Sequence, residues 1–304
     1  MTLLSQTRLT GARFADAKEK WVGSVNTVVI GAGSATGGTR TSVVTIGGEA
    51  SLPFAHFEGE TPHRPVVAME IWDIEPADWP ASLLEALGSA VKSPTDWARQ
   101  CVEEYGADLV CLRLAGTHPD LGDAPPAAAA RVVEAVLKAT GAPLIIWGSE
   151  HDAKDNLVLP ACSQAASGEK CLLGIAKVDN YKTLVAACSA DGHSLIAFSP
   201  IDINIGKQLN ILISEMGFPL DRVVMYQTTG ALGYGLEYTY SIQERARLAA
   251  LGGDKMMALP TICLPGQEAW RAKEAKATAE EQPDWGDADR RGVFWEFATA
   301  AALL

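Results

Sequence analysis

Nine polar residues stand at or just beyond the ends of apolar runs in this sequence: Asp73, Arg113, Ser149, Glu150, Lys177, Asp179, Asp202, Gln227 and Thr228. Carboxylates, amides and hydroxyls so placed can orient a ligand through hydrogen bonds. A desolvated lysine such as Lys177, in GIAKVD, could form a Schiff base with a carbonyl substrate. The plainer account of Lys177 is an ion pair with Asp179 or with a neighbouring strand end. From Thr228 the sequence reads TTGALGYGLEYTYS up to Ser241. There Thr229, Gly230, Gly233, Tyr234 and Gly235 combine small residues, which let a backbone approach a large flat ligand, with an aromatic side chain that ends in a polar tip. No catalytic triad or dyad can be read from the chain.

Other motifs resemble chemistry but lack its context. GAGSATGG imitates a dinucleotide fingerprint, yet the next segment, TSVVTIGG, is β-like where a pyrophosphate site needs a helix N-terminus. A turn is the better reading. Asp191-Gly192-His193 resembles the aspartate-x-histidine loop that supplies an axial ligand in some cobalamin proteins. Its third following residue is Ile196 in place of glycine, and His193 precedes a strand, so a loop or helix-end histidine is expected. His56, His63, His118 and His151 show no paired metal-ligand spacing. The six cysteines are scattered without a C-x-x-C pair, which predicts reduced, mostly buried thiols and no cluster on this chain.

The elements that must position these groups follow a repeating plan. Two β-like runs, Val25 to Ile30 and Ser42 to Ile46, flank the glycine-rich stretch and predict a hairpin covering one end of the molecule. From Pro65 onward seven apolar strands alternate with amphipathic helices: Val66 to Trp72, Leu109 to Leu114, Leu144 to Trp147, Cys171 to Val178, Leu195 to Phe198, Val223 to Tyr226 and Lys255 to Leu259. Ser93-Pro94 caps a helix carrying Trp97, Cys101 and Tyr105, and Asn180 opens one carrying Tyr181, Leu184, Val185 and Cys188. This is the α/β pattern of a TIM-type (β/α) barrel with seven strands legible and an eighth missing. Residues 1–60 form the hairpin extension and residues 61–304 the barrel. Closure then falls to the hairpin, to a partner, or to sequence beyond this chain.

Composition sets the class. With 48% hydrophobic and 20% charged residues the 304-residue chain can bury a large core. A formal net charge of -12 without a basic cluster opposes nucleic-acid binding. No apolar run reaches membrane-spanning length and the start lacks a leader pattern, so a cytoplasmic location away from the membrane is expected.

Four long segments carry a more specific likeness: GGEASLPFAHFEGE, RPVVAMEIWDIEPADWP, DINIGKQLNILI and TTGALGYGLEYTYSIQERARLAAL. They resemble the small, or delta, subunit of corrinoid iron-sulfur proteins, in the family's order and across most of the chain. The resemblance implies a β/α barrel with an N-terminal β-extension, paired with a large subunit that bears an iron-sulfur cluster and a cobalamin domain. It implies that cobalamin, shared with that subunit, lies against the barrel's top without histidine ligation. Methyl groups would then pass from a methyl-tetrahydropterin, through a methyltetrahydrofolate-corrinoid methyltransferase, to acetyl-CoA synthase in the reductive acetyl-CoA pathway. The chain would belong to a methyltransferase-class carrier and catalyse nothing alone. Asp73, Asp202, Gln227, Thr228, Thr229, Gly230, Gly233, Tyr234 and Gly235 are the expected cofactor contacts. Family members resemble the chain through ATAAALL and continue into a final strand and helix, which leaves barrel closure here as an open expectation. Three competing functions remain: a pterin-binding methyltransferase using Asp73, Asp202 and Asn204, a Schiff-base aldolase at Lys177, and a structural partner that never touches the cofactor.

Overall fold

A computed structural model describes residues 18–304. Its first element is an antiparallel hairpin, β1 (Val28–Ile30) against β2 (Val44–Ile46), with Val28 opposite Ile46. Then come β3 (Ala68–Trp72), β4 (Leu109–Arg113), β5 (Leu144–Trp147), β6 (Leu172–Ala176), β7 (Ser194–Ser199), β8 (Val223–Gln227) and β9 (Thr261–Ile262). These seven form one parallel sheet in sequence order. Helices α1 (Ala81–Leu87) and α2 (Pro94–Glu103) join β3 to β4. Single helices make the next five crossovers: α3 (Pro126–Ala139), α4 (Asp152–Ala165), α5 (Tyr181–Asp191), α6 (Ile203–Glu215) and α7 (Leu236–Leu251). After β9 follow α8 (Pro265–Ala269), α9 (Lys273–Lys276) and α10 (Ala288–Leu303). Strands β3 and β9 are not paired with each other, so this is a seven-stranded (β/α) barrel left open at one seam.

Strand alternation divides the interior in two. Val110, Leu112, Leu173, Leu195, Ala197, Val223 and Met225 pack outward against the helices. Leu109, Cys111, Ile145, Trp147, Leu172, Ile196 and Val224 fill the lumen together with Val28, Ile30 and Val44 of the hairpin. The hairpin is therefore a plug. It enters at the strands' N-terminal end, where Gly31 N–H donates to the Lys170 carbonyl at 2.8 Å just before β6.

The glycine-rich connection between β1 and β2 has a structural duty. It makes a single 3-10 turn at Ser34–Thr36 and returns through Arg40, with no helix that could cradle a pyrophosphate. Arg40 is buried and donates to the carbonyls of Leu137 and Thr140, at the C-terminal end of α3, at 2.6 and 2.7 Å. A helix C-terminus presents unpaired carbonyls and partial negative charge, so a guanidinium seats there favourably.

One detail differs from the sequence-based expectation. The seventh parallel strand lies at Thr261–Ile262 and not at Lys255 to Leu259. Asp254 folds the preceding segment into a turn by accepting from Met256 N–H at 3.1 Å, and Pro260 has no N–H to give a ladder, so pairing starts only beyond it. His193 is a helix-end histidine, as expected, in the connection between α5 and β7, and it is fully buried. Its Nδ1 accepts from Cys171 N–H at 3.1 Å, and the same ring's Nε2 donates to the Ser163 carbonyl at 2.9 Å.

Elsewhere the expected chemistry holds. Ser93 Oγ accepts from Asp96 N–H at 3.3 Å and caps α2. Five of the six free cysteines are buried, and burial pushes the Cys101, Cys162 and Cys171 thiols up to about 12. No helix among the described residues is long and apolar enough to cross a membrane.

Candidate functional site

Because the sheet is parallel, the loops after β3 to β8 emerge on one face, the C-terminal mouth of the barrel. The mouth is organised around Arg113, the last residue of β4, whose side chain is only 6% exposed. It donates through Nε to Glu70 of β3 at 3.0 Å and through Nη1 to Glu150 at 2.6 Å, and its guanidinium lies over the Trp147 ring. Burial alone would lower the arginine's affinity for its proton, but the two carboxylates outweigh burial and raise it. Burial also works against the charge on Glu150, yet Arg113 and the Trp147 indole N–H hold its carboxyl below the usual range. Beneath, Trp147 packs edge-on against Tyr226 and Phe198 lies tilted against the same tyrosine ring, with centroids 5.2 and 5.1 Å apart. Glu70 is a residue that sequence reasoning missed. Its signal is parity: it pairs with lumen-facing Cys111, and a lumen-facing charge needs a partner.

Three further carboxylates fasten the rim. Asp155, on α4, accepts from Ser149 N–H at 2.8 Å and Glu150 N–H at 2.9 Å. Asp73, just after β3, accepts from Gly116 N–H at 2.7 Å, and burial pushes its carboxyl up to about 6. Asp202 follows β7 and caps α6, accepting from Asn204 and Ile205 N–H at 2.8 and 3.3 Å. It stands next to the loop after β8, whereas Asp73 follows β3, the edge strand on the other side of the open seam.

The expected cofactor loop is firmly built. Thr239 Oγ1 accepts from Gly230 N–H at 2.7 Å and donates to the Thr228 carbonyl at 3.1 Å, while Thr229 Oγ1 accepts from Leu264 N–H at 3.0 Å. Helix α10 straps the loop from outside, with Trp295 Nε1 donating to the Leu232 carbonyl at 2.9 Å. Gly233 and Gly235 occupy the left-handed region at φ 75° and 99°. Tyr234 is half-exposed and its hydroxyl donates to Glu274 at 2.9 Å. Gln227 ends β8 on the parity of Val223 and Met225, facing the helices and not the lumen, and its buried amide has no hydrogen-bond partner among the described residues.

Lys177 pairs with Asp152 at 2.6 Å and reaches the Glu150 carbonyl at 3.4 Å, the ion pair that its strand-end position suggested. Among the described residues no three His, Cys, Asp or Glu side chains group as a metal site. Both nitrogens of His193 are engaged at the strands' N-terminal end, the end opposite the mouth.

Comparison with known proteins gives a consistent result. A family model described as the CO dehydrogenase/acetyl-CoA synthase delta subunit matches residues 27–289. The "Acetyl-CoA decarbonylase/synthase complex subunit delta" of Archaeoglobus fulgidus is 38% identical over 300 residues, which covers 97% of this chain and 66% of that protein. The subunit of the same name from Methanocaldococcus jannaschii is 35% identical, covering 94% of this chain and 69% of its own length. The chain thus spans about two-thirds of these relatives. Among solved structures, the carboxyl transferase domain of Rhizobium etli pyruvate carboxylase with pyruvate superimposes with a TM-score of 0.39 at 12% identity, over 78% of this chain and 41% of that one.

Proposed function

The chain belongs to the CO dehydrogenase/acetyl-CoA synthase delta-subunit family, and from that membership we propose that it is the barrel subunit of a corrinoid methyl carrier. In this reading it pairs with a large subunit that bears the iron-sulfur cluster and a cobalamin domain. The partners receive methyl groups from a methyl-tetrahydropterin by way of its methyltransferase and deliver them to acetyl-CoA synthase.

One observation carries the reading. The mouth exposes apolar side chains beyond four of its strands: Leu121 after β4, Val178 after β6, Ile201 after β7, and, after β8, Leu232 and Tyr234 with Tyr238 in the first turn of α7. An apolar rim around the mouth suits a broad, flat surface that covers it. The residues present fit a corrinoid. A Cβ added at Gly233 would meet nothing nearer than Trp295 at 3.8 Å, so the loop backbone is open on that side. When bound, cobalamin supplies the metal centre that accepts and releases the methyl group. This chain's residues supply surface and order: Tyr234 and Leu232 for apolar contact, Thr228 and Asp202 for hydrogen bonds, and the strapped loop for exclusion of water.

Anaerobic co-purification with the large subunit tests the proposal. One cobalt per heterodimer is expected, with negligible iron in this chain expressed alone. Stoichiometric iron and acid-labile sulfide in the isolated chain, or a cobalt-free heterodimer, would refute it. A pterin-binding methyltransferase is the second reading. It is favoured by Asp73, since a carboxyl titrating near 6 at a strand's C-terminal end is equipped for proton transfer. Tight pterin binding without the large subunit would select it.

A further inference from the structure

Glu150 has a backbone conformation that its side chain does not favour. At φ 71° it lies in the left-handed region, which costs a residue other than glycine or asparagine about 1 kcal/mol or more. The strain is maintained by contacts from three elements. Asp155 of α4 accepts the Glu150 N–H, Lys177 beyond β6 donates to its carbonyl, and Arg113 of β4 grips its side chain. All of this fixes one carboxylate. Oxygen Oε1 takes both the Arg113 and Trp147 bonds, whereas Oε2 takes none among the described residues, and the side chain remains 42% exposed at the mouth.

An ionised carboxylate with one oxygen saturated and the other facing outward is a preorganised acceptor. Its neighbour Arg113 is buried and turned to Glu70 and Glu150, so the group the cluster presents outward is a carboxylate, an acceptor. The ligand group that suits it is a neutral or cationic N–H. We propose that Glu150, positioned by Arg113, accepts a hydrogen bond from a peripheral amide of the corrinoid. This rests on the corrinoid reading given above, since a corrin ring carries amide side chains around its edge. Arg113 acts through Glu150 as a positioning residue.

The test uses the co-purified heterodimer with wild-type, Glu150→Gln and Glu150→Gly chains. Glycine accepts φ 71° without strain, so that variant keeps the loop path while removing the carboxylate. The probes are cobalamin and its derivatives in which one peripheral amide is hydrolysed to a carboxylate. Dissociation is followed by corrinoid absorbance. Cobalamin should leave both variants about tenfold faster than wild type, the loss expected for one charge-assisted hydrogen bond. One monocarboxylate should bind wild type about tenfold more weakly than cobalamin, because two carboxylates then meet, and Glu150→Gln should erase that difference. The wild-type preference needs no variant, so a misfolded mutant does not remove the test. Equal dissociation rates and no discrimination among monocarboxylates would overturn the assignment of Glu150 while leaving the corrinoid reading intact. A wild-type heterodimer that holds no corrinoid would overturn that reading, and this assignment with it.

Discussion

Arg40 Nε meets Glu169 Oε2 at 2.8 Å, joining the return of the hairpin to the segment just before β6 with the arginine side chain only 3% exposed. The same guanidinium holds the end of α3, so one side chain fastens the lumen plug to two parts of the barrel floor. Replacing Arg40 by methionine leaves Glu169 and those carbonyls without their donor. The expected cost is about 3 kcal/mol. Urea unfolding should show it, and amide exchange in residues 28–46 should accelerate more than exchange in β4 or β5. Uniform acceleration would mean that the plug and barrel unfold as one unit.

Two glycines of the cofactor loop should respond differently to alanine. A Cβ at Gly230 would fall 2.5 Å from the Gly235 carbonyl group, a backbone clash that the loop can relieve only by opening. At Gly233 there is space, and the cost is the left-handed backbone alone, about 1 kcal/mol. Gly230→Ala should therefore lower the melting temperature more than Gly233→Ala. Gly233→Val should leave subunit association intact and reduce cobalt per heterodimer. Unchanged cobalt and unchanged methyl transfer in that variant would move the loop away from the cofactor.

His193 should make stability fall with acid. Burial, working against the Ser163 hydrogen bond, depresses its pKa below the ordinary 6.5, and its Nδ1 already accepts an N–H, so a second ring proton has no acceptor. Below about 6.5 the unfolded chain takes up a proton that the folded chain resists. The stabilisation is complete above that pH and is lost as pH falls toward the depressed value. Urea midpoints from pH 7.5 to 5 should decline in the wild type. His193→Gln should be less stable throughout, with this part of the slope removed.

Asp73 acts in the opposite sense. Burial raises its folded pKa to about 6, so folding favours the protonated carboxyl and the ionised form costs stability above that pH. The penalty disappears as pH falls from 6 toward the unfolded value near 4. Asp73→Asn keeps an acceptor for the Gly116 N–H and removes the charge. It should melt higher than wild type at pH 7.5 and nearly level with it at pH 4.5. Equal melting at both values would mean that Asp73 ionises freely in the fold.

Much of the architecture was legible from local pattern. Six of the seven parallel strands lie where apolar runs such as Leu144 to Trp147 put them, since a strand buried on both faces must read as a continuous apolar run. The hairpin was legible because β-like runs on both sides of GAGSATGG left no helix to bind phosphate. The seventh strand was not, because AL before Pro260 has strand composition while the ladder depends on which N–H groups remain to be given.

For the site, the residue types and their end of the barrel were set by the sequence itself: Arg113, Glu150 and Lys177 stand at strand ends, and the glycines after Thr228 mark a loop. Only the tertiary structure decided their partners. Arg113 meets Glu70 across one strand pair and Glu150 across another, 43 and 37 residues away along the chain. Lys177 turned to Asp152 in place of Asp179, and His193 became a neutral bridge between Cys171 and Ser163. Periodicity and turn chemistry act over a few residues, so a sequence states them directly. The pairing of buried charges depends on which strand ends the closed register brings within 3 Å, and that is fixed only when the sheet curls around its lumen.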